Sequence, residues 1–556
     1  MMDGLEIRQR FDALENLRKT VESDWDLIEK FIAPIRGGKF FSEQSSEHEA
    51  DWRRGRDVFD STAILAANTL ASSVHGALTS PSARWFGMRF RDDDLNKADI
   101  AVEWLQECSN RVWHALQDSD FNLEVNEAYQ DLVAFGTTCV IEEAESEIEW
   151  KGLDFTTLPI REIFFEQDSN GKILHFYRRL QWTALQIISK FGEENVPDEI
   201  KEKAKIPAQA DQKIKLIFAI YPRKGKEDVD TSRMLSKKMR PFESKYILHS
   251  TAEMVGDEGG YYEMPAYLPR WQKASGSMWG FGPGAIALSD VMTLNTAVEQ
   301  RLSAAAKAID PSSLVTERGL MSDLDLEPGG QTVVKDLNSV KVYESGARFD
   351  VADNLIMDLR ININKMFLVD RLELKESPAM TATEVNARYD LMQRLLGPVL
   401  GRLQSDFLNP MIERTFKILW RSGQLPQMPE ELAAIDPELD VEYIGPMARA
   451  QNSDMVQSIT MWANQMTELG QFYPETAMLV DAQAMGRELA ANLNVPATMV
   501  RSEEEVDAMM KQKEQDELQQ RQIDLAMGAG QAMQAQGEGA AAMQAPAGAP
   551  PGATVQ

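Results

Sequence analysis

Two cysteines in 556 residues, Cys108 and Cys139, are too few for a disulfide framework. They read as packed thiols in a protein assembled in a reducing cytoplasm. No run reaches the roughly 18 apolar residues that a membrane-crossing helix needs. Even the most apolar stretch, 63–78, is interrupted by Asn68, Ser72, Ser73 and His75. The first residues form an acidic amphipathic pattern rather than the basic and apolar blocks of a signal peptide, so no membrane insertion is expected.

Patterns that carry chemistry are equally scarce. A phosphate-binding loop of the Gly-x4-Gly-Lys-Ser/Thr kind is missing, as is a Gly-x-Ser-x-Gly nucleophile elbow. His48, His75, His114, His175 and His249 are scattered singly, without the spacing of a metal site. Asp92-Asp93-Asp94 reads as a solvated loop. Gly280-Phe281-Gly282-Pro283-Gly284 has the glycines of a nucleotide loop, but Pro283 and the lack of a preceding strand make it a helix-opening turn. The expectation is no cofactor, no metal and no enzyme. Positive charge is also in deficit: 58 Lys and Arg stand against 87 Asp and Glu, a net charge of −29. A protein that grips DNA shows a basic footprint, because neutralising phosphates releases counterions. That footprint is lacking.

What is present is helical staves. The length suffices for two or three domains, and the 43% apolar content is that of a globular protein. After the glycine-rich turn, Leu288, Val291, Asn295, Val298, Leu302, Ala305 and Ile309 alternate steps of three and four, a stripe for packing along neighbouring helices. Asp310-Pro311 stops that helix. An insert follows, with short strands expected at 331–335 and 339–343 and a turn at Pro328-Gly329-Gly330. A second helix presents Leu355, Ile356, Leu359, Ile363, Met366 and Phe367 and ends near Asp370. Residues 371–380 form a charged loop. Thr381 and Glu384 match a capping box that opens a third helix through Val385, Met392, Leu396, Val399, Leu403 and Phe407, kinked at Gly397-Pro398.

The rest of the chain reads more coarsely. Helices are expected at 3–33, 61–79, 97–117 and 121–134, the last stopped by Gly136. Strands are expected at 85–90 and 138–142. From 150 to 270 the pattern mixes strands and helices, with a hairpin at Ser169-Asn170-Gly171, a short helix at 183–191, strands at 214–221 and 244–249, and a turn at 256–260. Beyond Arg421 come a proline-rich stretch and helical pieces, clearest at 453–469 and 474–491, then a charged helix near 502–521. Residues 526–556 are Ala, Gly, Gln, Met and Pro with almost no charge, a disordered or poorly ordered tail.

The segments WGFGPGAIALSDVMTLNTAVEQRLSAAAKAIDPSSLV and MTATEVNARYDLMQRLLGPVLGRLQSDFLNPMIERTF resemble the head-to-tail connecting (portal) proteins of short-tailed, T7-like bacteriophages. FDSTAILAANTLASSVHGALTSPSARWFGM, DLVAFGTTCVI and LPIREIFFEQDSNGKI agree, and the similarity spans roughly residues 5 to 425. It implies a portal fold: α+β, mainly helical, with an α/β wing, a two-helix stem, a small β-containing clip, a tunnel loop plus kinked helix, and a helical crown. Carried onto this sequence, residues 1–284 hold the N-terminal helices and wing, 285–309 the first stem helix, 311–350 the clip and 351–370 the second stem helix. The tunnel loop is 371–380, the kinked helix and return to the wing 381–447, the crown 448–522, and the tail 523–556, which in place of disorder could form a barrel.

The resemblance implies a ring of twelve identical subunits at one capsid vertex, a channel for double-stranded DNA in packaging and ejection. Its other partners would be a terminase ATPase that supplies the energy, tail or adaptor proteins, and the major capsid and scaffolding proteins. The site residues follow from position. Arg371, Glu373, Lys375, Glu376 and Ser377 face DNA in the tunnel loop. Leu288, Asn295, Val298, Leu302, Leu355, Leu359, Ile363 and Met366 pack stems between subunits. Pro311, Pro328, Val340 and Tyr343 mark the clip's docking surface. Arg301, Lys307, Arg360 and Lys365 serve either DNA-facing rings or inter-subunit ion pairs. Asn295 either sets helix register or makes an ordinary hydrogen bond. Trp271, Trp279 and Trp420 read as core or interface packing rather than stacking platforms, since duplex DNA offers no unpaired base. A largely acidic wall suits sliding DNA; the same acid also serves solubility. Two other readings stay open: a virion adaptor or scaffold oligomer that passes no DNA, and an enzyme whose site is assembled from dispersed residues.

Overall fold

The structure, a computed structural model, describes residues 2–522 apart from 35, 37–56, 93–94, 98, 146–148, 170, 227–234, 274, 317, 319, 324–332, 337, 339, 343–348, 373–394, 430–431, 433–438, 445, 474–478, 494, 496–498 and 502–504. The helices are α1 (Gly4–Phe31), α2 (Thr62–Leu78), α3 (Asp99–Gln117), α4 (Phe121–Phe135), α5 (Ala184–Phe191), α6 (Asp198–Lys205) and α7 (Pro207–Ala210). Then come α8 (Pro283–Ile309), α9 (Phe349–Met366), α10 (Val369–Leu372), α11 (395–403) and α12 (Asn409–Arg421). Helices Pro446–Phe472, Ala482–Asn492 and 505–522 follow. The strands are β1 (Phe86–Phe90), β2 (Cys139–Ala144), β3 (Leu153–Leu158), β4 (Ile163–Gln167), β5 (Ile173–Thr183) and β6 (Lys213–Pro222). They continue with β7 (Phe242–Leu248), β8 (Met254–Tyr261), β9 (Ala266–Tyr267), β10 (Ser313–Val315), β11 (Val340–Val342) and β12 (Leu439–Tyr443). The fold is α+β and mainly helical.

The largest sheet has the order β4-β5-β6-β7-β8, and a second has β3-β2-β9. Every described ladder is antiparallel, so the body expected as mixed α/β is built from meanders and hairpins rather than crossovers. The β4–β5 hairpin forms where Ser169 to Gly171 predicted it, with Phe165 opposite Phe176. The turn expected at 256–260 is a correction: those residues lie in β8, paired with β7. Their glycines serve close packing. A Cβ on Gly259 would lie 2.3 Å from Ser244 Oγ, and one on Gly260 would lie 2.2 Å from the Lys237 carbonyl. Strands β3, β9 and β12 carried no sequence signal that was read as a strand.

Helix α1 lies between two cores. Its first half sets Ile7, Phe11 and Leu14 against Phe164, Tyr177 and Ile247. Its second half sends Trp25, Ile28 and Phe31 into the main core with α2, α3, α4 and the sheets. Arg18, at the junction, is buried and donates to Glu22 and to the Ile160 and Ile163 carbonyls, its guanidinium 3.8 Å from the Phe164 ring centre. Burial, helped by the nearby Arg179, lowers its pKa to about 10. Cys108 and Cys139 are both free and buried, and burial pushes the Cys108 thiol up to about 12. Among the described residues no helix is long and apolar enough to cross a membrane.

Candidate functional site

The excursion that starts at α8 begins with a backbone crossing. Gly136 ends α4 with φ of 80°, as its place in the sequence predicted. The chain 280–284 presses against it: a Cβ on Gly280 would lie 2.1 Å from the Gly136 carbonyl oxygen, and one on Gly284 2.3 Å from that of Ala134. The Gly280 N–H donates to Thr137 Oγ1 at 2.7 Å. Gly282 is the N-cap of α8 and Pro283 its first residue, where a missing N–H costs nothing. The glycines are therefore spent on helix–strand contact. Trp279 and Trp271 are buried, and Trp279 meets Trp25 and Phe165 edge-on at 4.8 and 5.0 Å.

The apolar stripe of α8 divides at Val298. Above it Val291, Leu294, Asn295 and Val298 are buried against the chain's own body, and Leu288 packs beside them. Asn295 makes the ordinary hydrogen bonds: Oδ1 accepts from the Phe59 N–H at 2.7 Å and Nδ2 donates to the Asp57 carbonyl at 3.3 Å. Below the division Leu302 is 51% exposed and Ile309 84%. Helix α9 runs back beside α8 with the same split. Ile356 and Ile363 are buried, Leu359 and Met366 half-buried, while Val351, Leu355, Met357 and Ile361 face solvent. Of the residues expected to pack stems between subunits, then, Asn295, Val298 and Ile363 are taken up within one chain. Leu302 and Leu355 are the ones left outside.

Two of the four stem cations are also committed internally. Arg301 and Asp353 pair across the two helices at 2.5 Å. Arg360 donates from Nε and Nη2 to Asp60 Oδ2 at 3.0 and 2.7 Å. The buried Asp60 carboxyl also accepts from the Thr62 N–H at 2.9 Å, fixing the start of α2. Burial alone would raise its pKa, but the bonds from Thr62 and Arg360 outweigh it and hold the carboxyl below its ordinary value. Lys307 and Lys365 are exposed and carry no ion pair among the described residues.

The second stem helix ends earlier than expected. Helix α9 stops at Met366, Leu368 takes a left-handed φ of 59°, and α10 covers Val369–Leu372. Phe367 and Val369 are buried on either side of the break. Arg371 is thus helical and exposed, 3.3 Å from Asp370. Glu373, Lys375, Glu376 and Ser377 lie outside the described residues, as do the Thr381–Glu384 capping box, Val385 and Met392. In the insert, β11 pairs with β10 rather than with the 331–335 segment. Of that segment, Val334 bridges only Leu320. Pro311 and Val340 are half-buried beside this small sheet, and Pro328 and Tyr343 lie outside the described residues.

Pro398 sits within α11, and the irregularity in this helix falls later, at a π-helical stretch Gln404–Leu408. Pro410 follows it. With no N–H to give Asp406, the chain widens by one residue, and the Asn409 N–H reaches the Gln404 carbonyl. Helix α12 then returns the excursion to the body through buried polar contacts. Glu142, on β2, accepts from Thr415 Oγ1 at 2.8 Å and from the Tyr267 hydroxyl at 2.5 Å. Arg414 donates to the Glu142 carbonyl at 2.7 Å. Burial raises the Glu142 carboxyl although Arg414 opposes it. Arg421 grips Glu263 with both nitrogens, at 2.8 and 3.0 Å. Sequence reasoning missed this anchorage, because Glu142 and Arg414 are 272 positions apart and neither belongs to a local pattern.

With this geometry of body, paired helices, small insert and anchored return, the sequence was compared with known families. The profile described as "Bacteriophage head to tail connecting protein" matches residues 5–500. The chain belongs to that family. It is 26% identical over 518 residues to the "Probable portal protein" of Bordetella phage BPP-1, covering 91% of this chain and 90% of the relative. Similarity to the "Portal protein" of Salmonella phage epsilon15 is 26% over 533 residues, covering 93% and 92%. To the "Portal protein" of Escherichia phage T7 it is 21% over 480 residues, covering 82% and 81%. The T7-like resemblance thus extends to relatives that share more identity than T7 does. The connector is a structural component of the phage virion, a portal at the vertex where head meets tail.

Proposed function

We propose that the connector assembles with eleven further copies into a closed ring whose axial channel carries double-stranded DNA during packaging and ejection. The observation that carries this reading is the division of the α8–α9 pair. Its upper half is fixed to the body through Asn295 and the Arg360–Asp60 pair, while its lower half turns Leu302, Ile309, Val351 and Leu355 to solvent. A projecting hairpin with an uncovered apolar stripe is unstable in water alone and suits packing against its own copies.

In this reading α8 and α9 are the stem, residues 311–350 the clip, the loop after Arg371 the tunnel loop, and residues 150–270 the core of the wing. The helices from Pro446 onward form the crown. The net charge of −29 supports a channel wall that does not hold phosphates, so that DNA slides without deep electrostatic wells. The chain hydrolyses nothing itself; a terminase ATPase docks on the clip, tail proteins replace it later, and the wing meets capsid and scaffolding proteins. End-on electron microscopy of the purified protein tests the ring. A closed ring of twelve with a central hole is the expected result, and a monomer or compact dimer at high concentration overturns it in favour of a non-DNA adaptor.

A further inference from the structure

A cavity of about 760 Å³ opens between the ends of β2 and β3 and the face of β7 and β8. Its wall is aromatic. Phe218 stacks on Tyr246 with ring centres 4.3 Å apart, and Phe191 meets Tyr246 edge-on at 4.9 Å. The wall already attracts one cation of its own chain: Lys190 Nζ lies 4.8 Å from the Trp182 ring centre and 5.3 Å from that of Tyr246. A ring face carries partial negative charge, so a second ammonium or guanidinium is attracted to what Lys190 leaves uncovered.

The rim is acidic and unbalanced. Glu143, Asp154 and Asp257 line the cavity and carry no ion pair among the described residues. Glu143 accepts only from the Tyr261 hydroxyl, at 2.8 Å. Asp154 has its carboxyl pushed up by burial and by the neighbouring Asp120 and Glu143, the mark of a patch short of positive charge. Of the lining cations, Arg240 is held by the Leu235 and Gly260 carbonyls and by the Tyr262 ring. Lys237 alone faces three carboxylates, and Glu145 is already paired with Lys151.

We propose that this cavity is a docking pocket for a basic segment of a partner protein, one that inserts an arginine or lysine beside an aromatic residue. The cation lies on the Tyr246–Phe218 wall with its charge toward Glu143 and Asp154, while a neighbouring aromatic covers the mouth. A cavity of this size takes one long side chain and part of a second. The pocket belongs to the body of a single chain, so the inference neither uses nor tests ring formation.

The test uses the full-length protein and a fluorescein-labelled peptide, Arg-Trp-Arg amide, with Glu-Trp-Glu amide as the charge-reversed probe, read by anisotropy. The basic peptide should bind saturably and the acidic one should not. Glu143→Gln with Asp154→Asn should weaken binding by about five-fold or more. Lys237→Glu, an exposed change that leaves the fold alone, should tighten it. A control removing equal charge elsewhere, Glu468→Gln with Asp481→Asn, should leave binding unchanged. Equal weakening by the pocket and control pairs overturns the proposal, since the peptide would then follow net charge. Failure of Lys237→Glu to tighten binding, or no saturable binding to the natural protein, overturns it as well.

Discussion

Asp60 shows how one side chain ties separate stretches of chain together. Its carboxylate takes the Thr62 N–H and both Arg360 nitrogens at once, so the start of α2 and the middle of α9 share one bond network. Arg360 is half exposed, which screens part of the attraction, yet removing it leaves a buried carboxylate without its cation. Arg360→Ala should therefore lower stability by about 1–2 kcal/mol at neutral pH, measured by denaturant unfolding. The sign with pH follows from the lowered pKa. The stabilisation is present above the ordinary carboxylate range and is lost as pH falls through the folded value. The gap between variant and natural protein should accordingly close below about pH 4. A gap that persists there would place the effect of Arg360 in packing of its stem rather than in the charge pair.

At the scale of elements, the paired stem helices carry both a fixed and a free half, and the free half makes the prediction. Leu302→Glu with Leu355→Glu places charge on the uncovered stripe without touching a buried residue of the same chain. The double variant should keep its helical circular dichroism and lose ring assembly, measured by light scattering. A ring that survives would put the inter-subunit contact elsewhere. The helices themselves were legible, because steps of three and four between capping and stopping signals depend on neighbours in sequence. The partner of each apolar residue was not. Val298 and Leu302 stand one turn apart on the same stripe, and only the position of the body decides that the first is buried and the second exposed. Asn295 was readable as a polar break in the stripe, but its partners near Phe59 are over 230 positions away. The β8 glycines were misread for a related reason: Gly259 and Gly260 mark a close approach from Ser244 and Lys237, and a lone sequence cannot distinguish that from a turn.

For the whole molecule, the charged segment after Arg371 is predicted to act only once the ring exists. Deleting Glu373 to Ala379 should leave assembly intact and damage genome packaging or retention, scored by packaged DNA per particle. Normal packaging in that deletion would remove the tunnel-loop assignment. Long-range closure was the least legible level. β1 pairs with β12 across some 350 residues, and the Glu142–Arg414 contact spans the whole excursion. Both depend on where the chain returns, which no local pattern encodes. The excursion's two feet nevertheless stand close together: the outgoing chain crosses at Gly136, and the returning helix locks onto Glu142. Both lie within a few residues on the approach to and along β2. Everything between Pro283 and Leu408 is thereby a cassette with fixed attachment points, and its inner parts can lengthen, shorten or be exchanged without refolding the body. Phages that change hosts can remodel the insert that meets the tail while inheriting the same wing, and shuffling experiments that cut at these two feet should yield soluble chimaeras more often than cuts made anywhere within the sheet.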